Sequence, residues 1–159
     1  MSGRKSWAQY YMDIARVVST RATCPRKHVG CILVREKHLI ASGYNGSVSG
    51  LQHCTDIGCM MEDDHCVRTT HAEVNAVAQA ARHGARTDGS TAYVTASPCW
   101  HCFKVLATAG VEHIVFGEFY RDDRLFDAAA KAHITLRILS GDGECKYLVK
   151  NGVVLPVEP

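Results

Sequence analysis

Two short segments of the sequence combine residue types that bind a transition metal and move protons. His71-Ala72-Glu73 opens one predicted helix, and Pro98-Cys99-Trp100-His101-Cys102 opens another. A Cys-x-x-Cys spacing at a helix N-terminus lets both thiolates reach one ion, and the helix dipole favours their deprotonated form. With the imidazole of His71 added, Cys99 and Cys102 complete a set of three ligands, which is typical of a catalytic zinc site that keeps its fourth position for water.

Glu73 is the residue that we expect to move protons at this site. Zinc lowers the pKa of a bound water to about 7, and a nearby carboxylate can then carry protons to a ring nitrogen and a leaving amine. A Cys-x-x-Cys pair alone is more often a structural half-site or a redox pair, and a lone His71 is often a capping or core residue. The conjunction of H-A-E with P-C-x-x-C favours catalysis, and predicts hydrolytic deamination.

The size and charge of the chain restrict its architecture and its partners. With 159 residues and 47% hydrophobic composition, it can bury one sizeable core, so we expect a single domain over residues 1–159. The formal charge is +2 and the pI is near 8.1, without the basic excess of a protein built on phosphate contacts. Long nucleic acid is therefore an unexpected partner, whereas a nucleotide needs only one or two cations.

The distribution of apolar residues and cysteines indicates the cellular compartment. The N-terminus lacks the apolar core of a secretory peptide, and no stretch of about 18 apolar residues could form a membrane helix. We expect a soluble, cytoplasmic protein that does not bind membranes. In a reducing compartment, eight cysteines are better explained by metal binding than by disulfides.

Hydrophobic periodicity predicts the elements that must position these side chains. Residues 6–20 read as an amphipathic helix capped by Ser6, and residues 29–46 read as two strands joined tightly around Glu36 and Lys37. Further helices are predicted at 71–84, 99–110 and 125–132, and further strands at 91–96, 113–119 and 134–139. This alternation indicates an α/β fold, a mixed sheet with helices on both faces.

Two stretches show no such periodicity. Residues 46–70 hold three glycines and three cysteines, and we expect a long loop there. The tail over residues 141–159 carries an Asn-Gly turn at 151–152 between short apolar runs.

A second group of soft ligands explains how so long a loop could be ordered. Its cysteines are Cys24, Cys54, Cys59 and Cys66, and His53 and His65 lie beside two of them. We expect a structural zinc, which would staple residues 46–70 to the turn before the first strand and offset the cost of ordering them. Of the other cysteines, Cys31 lies in an apolar strand and is expected in the core, and Cys145 is expected to be a free thiol.

Over most of residues 6–120 the sequence resembles the deoxycytidylate (dCMP) deaminases of bacteria and phages. In addition to H-A-E and Y-V-T-x-S-P-C-x-x-C, the ordered motifs that carry the resemblance are Thr23-Cys24-Pro25-Arg26 before Val29-Gly30, Gly43-Tyr44-Asn45-Gly46, His53-Cys54, His65-Cys66-Val67-Arg68-Thr69 and Tyr120.

The resemblance implies a three-layer α-β-α sandwich of the cytidine-deaminase type, with a five-stranded mixed sheet. It implies a zinc-dependent conversion of dCMP to dUMP and ammonia, which would supply dUMP for thymidylate synthesis. It also implies a homo-oligomer, a hexamer or a dimer, that is activated by dCTP and inhibited by dTTP.

The resemblance also assigns roles to individual residues. Asn45 would bind the sugar or base, Arg26 the 5′-phosphate, and Tyr120 would close the nucleotide pocket, with hydroxyl contacts from Ser47 and Ser97. The alternative interpretation is that neither residue binds substrate. Arg26 would then be a solvent-exposed turn residue, and Asn45 would simply favour the turn before Gly46. Cys24 and Cys54 match the structural-zinc ligands of relatives best, and the other two ligands stay open among Cys59, Cys66 and His65.

The sequence departs from the family pattern at two places, and its motifs are compatible with other functions. Val48 replaces a common proline, and the bulky pair Trp100-His101 fills the space between the zinc cysteines. CMP, 5-substituted dCMP and dCTP remain alternative substrates, and deaminases of other nucleotides or bases share the core motifs. A non-catalytic zinc-binding protein associated with competence functions is a rival of another class, and an intact Glu73 argues against it.

Overall fold

The computed structural model describes residues 3–139, 141, 145–150 and 153–156, and describes side chains through residue 139. Its helices are α1 (Trp7–Ser19), α2 (Cys54–Ile57), α3 (Ala72–Arg82), α4 (Trp100–Thr108) and α5 (Arg124–Lys131). Its strands are β1 (Gly30–Arg35), β2 (His38–Tyr44), β3 (Gly46–Ser47), β4 (Met61–Glu62), β5 (His65–Cys66), β6 (Thr69–Thr70), β7 (Thr91–Ala96), β8 (His113–Glu118), β9 (Thr135–Leu139), β10 (Cys145–Lys150) and β11 (Val153–Pro156).

A mixed sheet forms the centre of the fold, in the order β11-β10-β9-β8-β7-β1-β2. The neighbours β7, β8 and β9 run parallel, whereas β1 pairs antiparallel with both β2 and β7. The predicted five-stranded mixed sheet is present as β2-β1-β7-β8-β9. The tail adds β10 and β11, which extend the sheet to seven strands. The Asn-Gly turn predicted at 151–152 lies outside the described residues.

Helices cover both faces of the sheet, which confirms the three-layer prediction. Alternate residues of β1 point to opposite faces, so that Cys31 and Leu33 lie in one core while Ile32 and Val34 lie in the other. Helix α1 packs on the Ile32 side, and α3, α4 and α5 pack on the Cys31 side. The expectation that Cys31 is a core residue is confirmed, since it is fully buried.

Local signals in the sequence account for the ends of several elements. The Ser6 side chain accepts a hydrogen bond from the Gln9 amide at 3.2 Å and caps α1 as predicted. The tight β1–β2 connection uses Glu36 and Lys37, both with positive φ. Gly84 follows α3 with φ of 67°, the left-handed conformation that ends helices. No helix in the described part of the chain is long and apolar enough to cross a membrane.

Residues 46–70, predicted as a long loop, include short regular elements that the sequence did not indicate. This segment contains α2 and four two-residue strands, which pair as β3 with β6 and as β4 with β5. Strands of two residues are too short to show a periodic sequence pattern. Their order depends on contacts with distant residues, including the hydrogen bond from the Thr55 amide to the Thr23 carbonyl at 3.3 Å.

Two strand glycines allow helices to approach the sheet closely. A Cβ atom at Gly30 would lie 2.0 Å from the Ala15 carbonyl oxygen of α1. One at Gly43 would lie 2.3 Å from the Ala72 carbonyl oxygen and 2.4 Å from the Ala76 amide of α3. The first glycine of the Gly-Tyr-Asn-Gly motif is therefore required by packing, because backbone atoms of α3 cannot move aside as a flexible side chain can.

We predict that Gly43→Ala destabilises the protein by about 2–3 kcal/mol, because the added methyl group overlaps the backbone of α3. Chemical denaturation measures this loss. The matched control is Gly3→Ala, which adds the same methyl group where nothing lies within 4 Å. Equal unfolding free energies for the two variants would contradict the packing argument.

Candidate active site

Three side chains with metal-binding atoms meet where two helices begin. His71 is the N-cap residue of α3, Cys99 is the N-cap residue of α4, and Cys102 lies in the first turn of α4. The Nδ1 atom of His71 lies 3.7 Å from the Cys99 sulfur and 3.3 Å from the Cys102 sulfur. The structure therefore brings together the three residues that the sequence predicted as one ligand set.

The spacing of this trio matches the size of a zinc ion. With Zn–N and Zn–S bonds of about 2.05 and 2.3 Å at tetrahedral angles, nitrogen and sulfur ligands should lie about 3.6 Å apart. The observed separations of 3.3 and 3.7 Å bracket that value, and the three ligand atoms lie within 4.8 Å of one another. Imidazole and thiolate are also the donors that zinc prefers, so the residues fit the ion.

Charge is unevenly shared within the trio. Hydrogen bonding from Cys102, and then from His71, lowers the pKa of Cys99 to about 3, whereas the interaction with the Cys99 thiolate and burial raise the pKa of Cys102. The hydrogen bond with Cys99 raises the pKa of His71. Without a metal, Cys99 is therefore the thiol that loses its proton more readily, and binding of zinc would displace the proton of Cys102.

Glu73 shares this position without belonging to the ligand trio. It is the second residue of α3, its side chain is buried with 4% exposure, and it lines the same cleft as His71 and Cys99. Burial raises the pKa of its carboxyl group. A buried carboxyl group that can hold a proton closer to neutral pH suits proton transfer beside a metal.

An open cleft lies over His71 and Cys99 of the trio. The residues that line it are Cys24, Arg26, Lys27, Val29, Asn45, Asp64, His65, Cys66, Thr69, His71, Ala72, Glu73, Ala96, Ser97, Cys99, Tyr120 and Arg121. Of the substrate-binding residues expected from the sequence, Arg26, Asn45, Ser97 and Tyr120 line the cleft.

Two cations that the sequence did not indicate lie against the Tyr120 ring. Lys27 Nζ is 4.3 Å and the Arg121 guanidinium carbon is 4.7 Å from the centre of the ring. Lys27 also pairs with Glu118 at 2.7 Å, and Arg121 Nη2 lies 3.0 Å from His65 Nδ1. Both cations directly follow predicted residues in the chain, and this adjacency is the signal that could have identified them.

Arg26 lies at the mouth of the cleft, against the β4–β5 hairpin. Its guanidinium donates to the Asp64 carbonyl oxygen at 3.2 Å and lies 3.6 Å from the Asp64 carboxylate. The side chain is about half exposed, so the pair with Asp64 is a weak surface interaction. Arg26 is consequently held near the cleft while its remaining N–H groups can reach an anion.

The side-chain amide of Asn45 forms hydrogen bonds with the segment that precedes β1. Its Oδ1 atom accepts from the Val29 amide at 2.8 Å, and its Nδ2 atom donates to the Lys27 carbonyl oxygen at 2.8 Å. Asn45 therefore positions Lys27 as well as lining the cleft. Its neighbour Ser47 is absent from the cleft lining, and the Ser47 hydroxyl is buried without a hydrogen bond to any described residue.

The second cysteine group converges as tightly as the first. Cys24 and Cys59 have sulfurs 3.7 Å apart, Cys54 and Cys66 have sulfurs 3.5 Å apart, and all four sulfurs lie within 4.8 Å of one another. Sulfurs in a disulfide are only about 2.05 Å apart, whereas sulfurs on one tetrahedral zinc are about 3.8 Å apart. We call these residues the four-cysteine cluster. The geometry favours Cys59 and Cys66 over His65, which contacts Arg121 instead.

The remaining sequence expectations concern three separate positions. Val48 is exposed, as suits a tolerated departure from proline. Trp100 is half-buried at the start of α4 and stacks on Phe103 with ring centres 5.9 Å apart. The expectation of a free Cys145 thiol lies outside the side chains that the structure describes.

Comparison with known proteins decides the family. The family model for the cytidine and deoxycytidylate deaminase zinc-binding region matches residues 5–118. The chain belongs to the cytidine and deoxycytidylate deaminase family. The match includes both zinc motifs and the residues before β1.

Two curated proteins are similar to this chain over most of its length. ComE operon protein 2 of Bacillus subtilis is 48% identical over 74% of this chain and 62% of its own length. The deoxycytidylate deaminase of Saccharomyces cerevisiae is 34% identical over 86% of this chain and 46% of its own length. This chain therefore spans less than two thirds of both relatives.

A solved structure in the family has a similar fold. It is the dCMP deaminase of cyanophage S-TIM5 in complex with dCMP and dUMP, with a TM-score of 0.74 and 31% sequence identity. The alignment covers 82% of this chain and 95% of the phage protein. The deaminase fold predicted from the sequence is thereby confirmed.

We predict that Asn45→Ala costs about 1–3 kcal/mol of unfolding free energy, because the Val29 amide and the Lys27 carbonyl lose their partner. Ser47→Ala, two residues away, should not destabilise the protein, since its buried hydroxyl has no described partner to lose. Denaturant titration measures both values. A neutral Asn45→Ala would mean that Asn45 serves only the ligand.

Proposed function

We propose that this chain is a zinc-dependent hydrolase that converts dCMP and water to dUMP and ammonia. The observation that carries the proposal is the position of the buried Glu73 carboxyl group. It lies in one cleft with the metal-binding trio and with Arg26, Lys27 and Arg121, which we call the cationic wall. The base that reacts would bind beside the metal ligands, and the phosphate would bind to the cations.

His71, Cys99 and Cys102 would hold the catalytic zinc. When bound there, zinc would lower the pKa of a water to about 7 and so supply a nucleophile near neutral pH. The buried Glu73 would take a proton from the attacking water. It would then deliver protons to the ring nitrogen beside the reacting carbon and to the leaving amine, as in other zinc deaminases.

Arg26, Lys27 and Arg121 would bind the 5′-phosphate. All three line the cleft, and the two arginines offer planar forks that match phosphate oxygens. Lys27 and Arg121 both lie against the ring of Tyr120, so a phosphate bound between them would bring the nucleotide against that ring. This arrangement favours a nucleotide over a nucleoside or free base. Contacts of Asn45 and Ser97 with the sugar or base are also part of the proposal, whereas the buried Ser47 hydroxyl lies outside the cleft lining and is not.

The four-cysteine cluster would hold a second, structural zinc. Cys24 lies just before Arg26, and Cys66 directly follows His65, so the cluster fastens two segments that line the cleft. Because residues 46–70 have few apolar contacts of their own, a metal cross-link would offset much of the cost of ordering them.

The comparisons support this reaction over two alternatives. The phage protein whose structure is similar was solved with dCMP and dUMP. The name ComE operon protein 2 states no activity, and a non-catalytic zinc-binding protein related to it is the second candidate. Such a protein would have no use for a buried carboxyl group beside a metal site. Deaminases of free bases would have no use for the cationic wall.

Regulation and assembly belong to the same proposal. We expect a homo-oligomer, a hexamer or a dimer, that is activated by dCTP and inhibited by dTTP and supplies dUMP for thymidylate synthesis. The exposed apolar side chains of residues 46–70 support assembly, among them Val48, Leu51, Ile57, Met60, Met61 and Val67. The free thiols support a reducing, cytoplasmic location.

The direct test is the loss of cytosine absorbance when the purified protein meets dCMP, CMP, deoxycytidine or dCTP, with and without added dCTP and dTTP. Turnover of dCMP with little turnover of deoxycytidine is the expected result, since only the former carries the phosphate. Zinc-loaded protein that acts on none of the four would overturn the proposal.

We predict that Glu73→Gln lowers the turnover of dCMP by about 100-fold to 10,000-fold, the range contributed by a general acid-base group. Bound zinc, measured by atomic absorption, should be unchanged because Glu73 is not in the ligand trio. Glu112→Gln, at an exposed position outside the cleft, is the control and should retain activity. If the activity of Glu73→Gln stays within tenfold of that of the unmodified protein, the proposed mechanism is contradicted.

We predict that Cys66→Ser reduces bound zinc from about two ions per chain to about one, whereas His65→Ala leaves about two. Metal analysis of dialysed protein distinguishes the two variants. The reverse result would mean that His65, not Cys66, completes the structural site.

A further inference from the structure

The first turn of α4 rests on a carboxylate from the loop that follows β8. The Trp100 amide, between the two zinc cysteines in the chain, donates to Asp122 Oδ2 at 3.1 Å. The amides in the first turn of a helix have no partner within the helix, so this hydrogen bond satisfies a group that would otherwise be unpaired. Asp122 therefore holds the turn that carries Cys99 and Cys102.

Asp122 is itself held by Arg124. Arg124 Nε donates to Asp122 Oδ1 at 2.8 Å, and Arg124 Nη2 donates to Oδ2 at 2.8 Å, a two-pronged pair with fixed geometry. The Asp122 side chain is only 14% exposed. The hydrogen bond from Arg124 lowers the pKa of Asp122 to about 2, so the carboxylate keeps its charge at neutral pH.

Arg124 also contacts the side chain of Trp100 in α4. The Arg124 guanidinium carbon lies 5.4 Å from the centre of the Trp100 ring, and that ring stacks on Phe103. Phe103 is buried in the core beneath α4. The bulky Trp100, a departure from the family pattern, thus connects the Asp122–Arg124 pair to the body of the protein.

Two further contacts fix the loop that carries Asp122. The Ser97 amide donates to the Glu118 carbonyl oxygen at 2.8 Å. The Ser97 hydroxyl accepts from the Tyr120 amide at 2.7 Å and lies 3.3 Å from the Tyr120 carbonyl oxygen. The loop from β7 to α4 and the loop from β8 to α5 are therefore joined by the contacts of Ser97 and by the hydrogen bond from Trp100 to Asp122. The contact of Asp122 is the one nearest to the cysteines.

We propose that Asp122, oriented by Arg124, is a positioning residue that sets the Cys99–Cys102 turn at the correct distance from His71 for zinc. The inference rests on the zinc site proposed above and adds a residue outside its ligand set. Because His71 belongs to a different helix, the ligand distances depend on how α4 is oriented, and not on the Cys-x-x-Cys spacing alone. Residues that orient metal ligands typically contribute 10-fold to 100-fold in metal affinity.

The test measures zinc release from the folded protein to a chelating dye. We expect two phases, and a Cys99→Ser variant identifies the phase that belongs to the catalytic site. In Asp122→Ala that phase should be about 10-fold faster or more, while release from the four-cysteine cluster is unchanged. Asp122→Asn keeps an oxygen that accepts from the Trp100 amide but loses half of the pair with Arg124, so its release rate should lie between those of Asp122→Ala and the original protein.

The control and a second variant separate positioning from general destabilisation. Asp127→Ala removes the exposed Asp127–Lys131 pair of α5 and should leave both phases unchanged. If Asp122→Ala does not fold, Arg124→Gln should accelerate the same phase, since it frees the carboxylate without removing it. Arg124 is 64% exposed, so its charge is largely screened and the loss of orientation should dominate.

The outcomes distinguish the two proposals. Release from Asp122→Ala at the original rate, or equal acceleration of both phases, would overturn the positioning role and leave the zinc site intact. If Cys99→Ser removes no phase of zinc release, the proposed catalytic zinc site is wrong. The positioning role of Asp122 is then wrong as well.

Discussion

His71 and the Cys99–Cys102 pair belong to two different helices, and both helices must begin at the same point for their side chains to meet. The close approach of α3 to the sheet makes this convergence feasible, because Gly43 has no side chain where the helix backbone passes. Small residues on α3, including Ala72 and Ala76, keep that contact tight. The positive ends of both helix dipoles then favour the thiolates that a metal requires. The position of Glu73 follows from the same geometry, since it lies on α3 two residues after His71.

Loops form much of the cleft wall, beside the ends of α3 and β7. A zinc ion held by the four-cysteine cluster would fasten residues 46–70 to the segment before β1. The contacts of Ser97 and Asp122 fasten the loop that carries Tyr120. Since loop residues bury little apolar surface, such cross-links must offset their conformational entropy. The cationic groups of the cleft belong to these fastened segments, so binding need not first order the chain.

Local patterns predicted those parts of the molecule that local interactions determine. The capped α1 helix and the β1–β2 hairpin follow from periodicity and turn chemistry, and the metal trio follows from motif spacing. The cysteine pattern predicted what could order residues 46–70, but the short helix and strands within that segment were not predicted because they are too short to show periodicity. Lys27 and Arg121 were missed because single cations in loops carry no periodic signal. The structural use of the Asn45 amide was likewise invisible, since its partners lie 16 and 18 residues away.

The measurement that tests the central claim most directly is anomalous diffraction at the zinc absorption edge, from crystals of the zinc-loaded protein grown with dUMP. The account predicts a peak bonded to His71 Nδ1 and to the sulfurs of Cys99 and Cys102. It also predicts that the pyrimidine ring lies beside Glu73 and that the phosphate lies among Arg26, Lys27 and Arg121. Zinc confined to the four-cysteine cluster, or a nucleotide bound away from this cleft, would contradict the account.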